Sequence, residues 1–156
     1  MGIFKKEFKI CCPIEGKVSP LEYCPDEVFS KGMTGEGVVI FPTGNIVYAP
    51  YDCKVEFIFE AKHAIALKGS GIECLIHVGL DTNTLKGRGF KVFVEAGKNV
   101  KQGDKLIEFD TMILKKYHCV DATPFVFTSL NRRDIITVDQ YGMVAAKSPF
   151  ITIERK

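Results

Sequence analysis

Short apolar runs, each bounded by Gly, Pro, Asn or Asp, recur along this chain. They are rich in β-branched and aromatic residues, the side chains that fit a pleated, half-buried surface. The pattern predicts strands at Val38–Phe41, Asn45–Ala49, Lys54–Phe59, His63–Lys68, Ile72–Gly79, Leu106–Phe109, Phe125–Thr128, Ile135–Val138 and Phe150–Glu154. Pro42-Thr-Gly-Asn45 and Gly69-Ser-Gly71 read as turns between them. Only Thr111–Tyr117 has a helical pattern, and it is short. Many short strands without a long amphipathic helix predict an all-β protein, an antiparallel β sandwich or barrel with at most very short helices. No linker or low-complexity stretch divides the chain. Residues 10–156 read as one domain behind a flexible N-terminal arm, residues 1–9.

One stretch is more specific. Glu95-Ala-Gly-Lys-Asn-Val-Lys-Gln-Gly-Asp-Lys-Leu106 has the form G-x-x-V-x-x-G-D-x-L and runs into apolar Ile107–Phe109. Gly97, Gly103 and Asp104 suit tight turns, and Val100 and Leu106 face a core. The stretch resembles the hammerhead turn of biotinyl and lipoyl domains and their barrel-sandwich hybrid relatives. That resemblance speaks to architecture and not to activity.

Composition narrows the function classes. The 156 residues carry 21 Lys+Arg against 19 Asp+Glu, a formal charge of +2, which leaves no electrostatic footprint for nucleic acid. No apolar run is long enough to span a membrane, and Met1–Ile10 lacks the apolar core and cleavage site of a secretory signal. The expectation is a cytoplasmic domain without direct membrane insertion. Cys11, Cys12, Cys24, Cys53, Cys74 and Cys119 form no Cys-x-x-Cys pair, so they read as reduced thiols, several of them core residues.

Candidate chemistry lies in the histidines. His63 begins one strand-like run and His77 ends the next, with the Lys68–Gly71 turn between them. Pairing of positions whose numbers sum to about 140 places the two imidazoles opposite each other on one face. Two facing imidazoles can share a phosphoryl group, bind zinc, or act as acid and base. A single histidine in a β-rich segment is more often structural. Two that pair across a hairpin, out of three in the chain, point to a site. His118 has no evident partner and reads as a surface residue. Gly79 removes a side chain beside His77, which would open access for a partner. The Asp81 carboxylate is placed to cap or orient nearby groups.

Gly71-Ile-Glu-Cys-Leu-Ile-His77-Val-Gly-Leu-Asp-Thr82 resembles the phosphorylation-site signature of glucose-type IIA proteins of the bacterial phosphoenolpyruvate-dependent sugar phosphotransferase system. The resemblance runs from about Ile10 to Asn131. It includes Pro13–Gly16, Pro25–Phe29, Gly35–Gly37, Pro42–Asn45, Lys62–Ala64, Leu85–Phe90, Gly103-Asp104 and Glu108–Asp110. It implies that His77 accepts a phosphoryl group from the phosphocarrier HPr and that His63 serves its onward transfer to a cysteine of a sugar permease's IIB domain. A backbone carbonyl near Gly79 would hold Nδ1 and leave Nε2 to attack. Val28, Phe29, Met33, Phe59, Leu75 and Val78 match an apolar partner-binding ring, with Asp26 and Asp81 as its acidic members. Metabolic enzymes or transporters regulated by the phosphorylation state are further implied partners. No cofactor is required, and zinc can sit between His63 and His77.

The chain departs from the family pattern at several positions. Ala61 stands where relatives commonly have a threonine, which removes a hydroxyl able to bond an imidazole or phosphate. Cys74 replaces an aliphatic residue, Cys53 a turn glycine, and Glu27, Thr34 and Asn83 add polarity to the ring. Three other readings compete. A biotinyl or lipoyl carrier would need its lysine at the hairpin tip after Leu106, where this chain has Glu108–Lys115 without such a motif. A lysostaphin-like zinc hydrolase would need a His-x-His pair, which is missing. A partner-binding regulator without efficient transfer is kept open by Ala61.

Overall fold

The computed structural model describes residues 6–155. Fourteen strands form antiparallel ladders: β1 (Lys6–Cys11), β2 (Gly16–Pro20), β3 (Glu36–Pro42), β4 (Ile46–Tyr48), β5 (Cys53–Ile58), β6 (Ala64–Gly69), β7 (Ile72–His77), β8 (Phe90–Val92), β9 (Asn99–Val100), β10 (Lys105–Phe109), β11 (Thr123–Phe127), β12 (Ile135–Val138), β13 (Gly142–Val144) and β14 (Pro149–Arg155). Two short helices, α1 (Glu27–Ser30) and α2 (Thr111–Lys116), complete the chain together with two 3-10 turns.

The strands make one eight-stranded sheet, ordered β13-β2-β3-β11-β7-β6-β5-β9, and two three-stranded sheets, β1-β14-β12 and β4-β10-β8. The sheets end on open edges, so the fold is an antiparallel sandwich and not a closed barrel.

Side-chain alternation explains where the core sits. Along β7, Ile72, Cys74 and Ile76 enter the main core, where they meet Ile65, Leu67, Phe125, Phe127, Phe150, Ile151 and Leu106. The other face of the same sheet buries a smaller cluster of Leu21, Cys24, Phe29, Val39, Leu80, Ala122 and Val126, with Leu75 and Phe41 packed on it. Central strands β3 and β11 are therefore covered on both faces. That is why Val38-Val39-Ile40 and Phe125-Val126-Phe127 are unbroken apolar runs. Full burial of each such side chain is worth roughly 1.5–3 kcal/mol. Five of the six cysteines are buried and all six are free thiols.

The structure corrects the expected N-terminal arm. Residues 6–9 belong to β1, whose Phe8 and Ile10 alternate with Glu7 and Lys9 and pair with β14. Residues 1–5 lie outside the described residues. Strands β2, β8, β9 and β13 and helix α1 had no strand or helix prediction. They are two to five residues long and carry Gly, Pro, Ser and Lys, so no period develops. In the 95–106 turn, the Gly103 N–H donates to the Ala49 carbonyl and the Asp104 carboxylate accepts from the Lys101 N–H.

Candidate functional site

The β6–β7 hairpin carries the site. Its ladder pairs Ala64 with His77 and Ile65 with Ile76, so paired positions sum to 141 and not 140. His63 thus lies just outside the ladder. It follows Lys62, whose backbone is left-handed at φ 64°, and that bend turns the imidazole back toward its neighbour. The two rings end 4.8 Å apart, nearly perpendicular at 86°. The histidines meet as expected, by a different route from the simple register.

His77 ends β7 on the face of Leu75, away from the main core. Its Nδ1 lies 2.8 Å from the Gly79 carbonyl oxygen. A carbonyl only accepts, so this bond places the proton on Nδ1 and leaves the Nε2 lone pair free. Gly79 makes the geometry possible; contrary to the expectation from the sequence, it does not open access for a partner. It is buried at φ +73°, and a Cβ there would come within 2.6 Å of Thr82 Cγ2 and 2.8 Å of the Val120 carbonyl. Burial lowers the His77 pKa below the ordinary imidazole value, against the opposing pull of the Gly79 carbonyl and the Asp26 charge.

His63 is 4% exposed, and its Nδ1 is buried with no hydrogen-bond partner. Burial, and then the neighbouring His77, push its pKa down to about 4. The ring packs edge-on against Phe59 at 5.6 Å. At neutral pH both imidazoles are therefore uncharged. Ala61, two residues earlier, has no hydroxyl to offer.

The surroundings are apolar. Phe29 lies 5.1 Å from the His77 ring, while Val28 on α1 and Met33 just after it stand exposed. Phe57, which had not been singled out, is exposed and packs edge-on against Phe59 at 5.2 Å. Its position two residues before Phe59 was the available signal. Val78 belongs elsewhere: it is fully buried in the main core, since alternation sends it to the face opposite His77, and it can touch no partner.

Asp26 caps α1, its carboxylate accepting from the Val28 N–H at 2.9 Å and the Phe29 N–H at 3.4 Å. Asp81 is exposed and left-handed at φ 60°, and its side chain caps nothing. Only its backbone carbonyl accepts, from the Thr84 hydroxyl and N–H and from the Cys119 thiol. His118 is exposed. Among the described residues no three His, Cys, Asp or Glu side chains gather as a metal set. A pocket of about 420 Å³ lined by Glu60, Ala61, Asn83 and Lys86 opens next to the His63 segment.

An antiparallel sandwich holding two neutral imidazoles under an apolar rim, one with its Nε2 free, is the arrangement a histidine phosphocarrier requires. Residues 8–133 match the family described as phosphoenolpyruvate-dependent sugar phosphotransferase system, EIIA 1. The chain is also similar to the solved structure of glucose permease IIA from Mycoplasma capricolum. They share 34% sequence identity over 97% of this chain and 99% of that one, with a TM-score of 0.88. The chain belongs to the EIIA 1 family, as a glucose-type EIIA, and is a phosphocarrier component of the sugar phosphotransferase system.

Proposed function

We propose that His77 Nε2 takes a phosphoryl group from phosphorylated HPr and passes it to the cysteine of a sugar permease's IIB domain. The hydrogen bond from His77 Nδ1 to the Gly79 carbonyl supports this reading most directly, because it fixes the tautomer with Nε2 unprotonated. In the first step the Nε2–P bond forms as the donor's N–P bond breaks. In the second the acceptor's cysteine, as the thiolate, forms the S–P bond, and the electron pair of the broken N–P bond returns to Nε2. The His77 proton stays on Nδ1 through both. His63, 4.8 Å away, donates an N–H to the phosphoryl oxygens and steadies the charge in flight. The apolar rim of Phe29, Leu75, Phe59, Val28, Met33 and Phe57 excludes water and provides the docking surface.

The test is intact-mass measurement after incubation with phosphoenolpyruvate, the general phosphotransferase enzyme and HPr in the cytoplasmic reaction mixture. The wild type gains one phosphoryl group and His77→Ala gains none while keeping its fold. A phosphorylated His77→Ala protein, or an unmodified wild type, overturns the assignment.

Zinc at the same pair is a further proposal. Two imidazole nitrogens supply half a tetrahedral set, so binding is weak unless a partner's carboxylate completes it. Titration calorimetry with zinc alone should give a weak signal that vanishes in the His63→Ala and His77→Ala variants. A signal unchanged in both, or none in the wild type, counts against it.

A further inference from the structure

The two histidine rings are held in different ways. A hydrogen bond to the Gly79 carbonyl fixes the His77 ring. His63 has no such bond at Nδ1, which is buried without a partner. Rotation of an imidazole about Cβ–Cγ is soft, so a ring without that bond is kept in place by packing. For His63 the packing is aromatic. Phe59 stands edge-on to it at 5.6 Å and 76°, and Phe57 stands edge-on to Phe59 at 5.2 Å and 78°. In this geometry the positive edge of one ring meets the negative face of the next. With His77 and Phe29 beyond, five rings follow one another at 4.8–5.6 Å.

Phe57 joins this row because its strand is irregular. In the β5–β6 ladder Val55 pairs with Leu67, and the next pair is Phe57 with Ala66, so Glu56 is an extra residue. Plain alternation would put Phe57 on the side of Val55, which is fully buried in the main core. The bulge turns Phe57 to the other face, opposite Ala66, which pairs in turn with Leu75 of the rim. There Phe57 is 56% exposed. The bulge thus gives up burial of a large apolar ring beside the two histidines, and the contact with Phe59 is what the ring gains.

We propose that Phe57 is a positioning residue for phosphoryl transfer, which braces Phe59 and through it holds the His63 ring in place against His77. This rests on the phosphocarrier reading above. Among the described residues the Phe57 ring stacks on Phe59 and on neither histidine, so its effect passes through two edge-on contacts. A residue that only enlarged the docking rim would be replaceable by any apolar side chain of similar size, and its loss would be felt in partner affinity. A brace needs a flat ring. Its loss is felt at saturating partner, because a loosened His63 presents its N–H to the phosphoryl oxygens less often.

The experiment compares the wild type with Phe57→Ala, Phe57→Leu and Phe57→Tyr. The first removes the side chain, the second keeps apolar bulk without the ring, and the third keeps the ring. Transfer from the phosphorylated protein to the IIB domain is followed in single turnover across IIB concentration, which separates the saturated rate from the half-saturating concentration. Phe57→Ala and Phe57→Leu should lower the saturated rate about 10-fold, on the scale of losses from a slightly misplaced group, and Phe57→Tyr should restore it. A second arm needs no phosphoryl donor. In the unphosphorylated protein, nuclear Overhauser contacts from the His63 ring protons to those of Phe59 and His77 should be clear in the wild type and Phe57→Tyr, and weakened in Phe57→Ala and Phe57→Leu. A wild type that fails to transfer would sink the phosphocarrier reading, while this second arm still decides whether Phe57 holds the ring. Ring contacts unchanged in Phe57→Ala, or a loss confined to the half-saturating concentration and repaired by leucine, would overturn the proposal.

Discussion

His77 carries its proton where the backbone dictates. With Nδ1 held by the Gly79 carbonyl and the pKa lowered by burial, Nε2 is a free nucleophile at and below neutral pH. Acceptance from HPr should therefore stay level as pH falls from 8 through 6.5, the unperturbed imidazole value, and drop only at more acidic pH. Single-turnover rates in a pH series check this, and a midpoint at or above 6.5 would contradict it. On the proposed reading His63 has a different task, as the N–H donor to the phosphoryl oxygens. His63→Gln offers an amide N–H from a more flexible side chain, so the donor is no longer held in place. Phosphorylation of His77 should survive in that variant, and donation to the IIB cysteine should slow by about 100-fold, the usual scale for losing one placed donor to developing charge. No hydroxyl at Ala61 can compensate. Equal onward rates would reduce His63 to a packed strand-end residue. The meeting of these two rings was legible in the residue pattern, and their proposed roles come from the family resemblance. The unpaired His63 Nδ1 was not, because orphan status depends on everything that surrounds the ring.

Among the elements, the turn after β7 and the short α1 position the site. Gly79 was noticed in the sequence for the wrong reason. Its small size was read as an opening for a partner, whereas contacts with Thr82 and Val120, distant or invisible in a linear pattern, make it a backbone requirement. Gly79→Ala should cost about 1–3 kcal/mol in thermal or denaturant unfolding, from the left-handed φ and the sub-3 Å contacts. It should also slow transfer, because the carbonyl that holds His77 must move. Unchanged stability and rate would mean the turn is slack. In α1, Asp26→Ala should cost about 1 kcal/mol through loss of the cap. Helix α1 has four residues and no period to detect, so its role in carrying Val28 and Phe29 to the site emerged only in the fold. The hairpin itself was legible from the Lys68–Gly71 turn. Its true register, one position off, was not, because the bend at Lys62 lies outside the ladder.

For the whole molecule, burying two neutral imidazoles couples the site to stability. The unfolded chain binds protons on His63 below about pH 6.5, while the folded chain resists until about pH 4. In that window the unfolded state holds more protons, so stability falls as pH falls. For His63 the full loss is about 3 kcal/mol, since each pKa unit is worth about 1.4 kcal/mol. Denaturant unfolding between pH 7 and pH 4 should show this decline, flattened in His63→Gln. A decline of equal size in the variant would place the acid sensitivity elsewhere. The antiparallel sandwich was readable from short strands such as those around Val38–Phe41 and Ile72–His77, which are strongly apolar. The division into three sheets was not, because Lys-rich β1 and two-residue β9 look like loop until their partners β14 and β5 are known. The central claim is that phosphoryl rides on His77 Nε2 while Nδ1 stays protonated against Gly79. Nuclear magnetic resonance of the phosphorylated protein carrying ¹⁵N-labelled histidine tests it most directly. Phosphorus coupling to Nε2 of His77, with Nδ1 still bearing its proton, is the predicted result. Coupling to Nδ1 of His77, or to either nitrogen of His63, would contradict it.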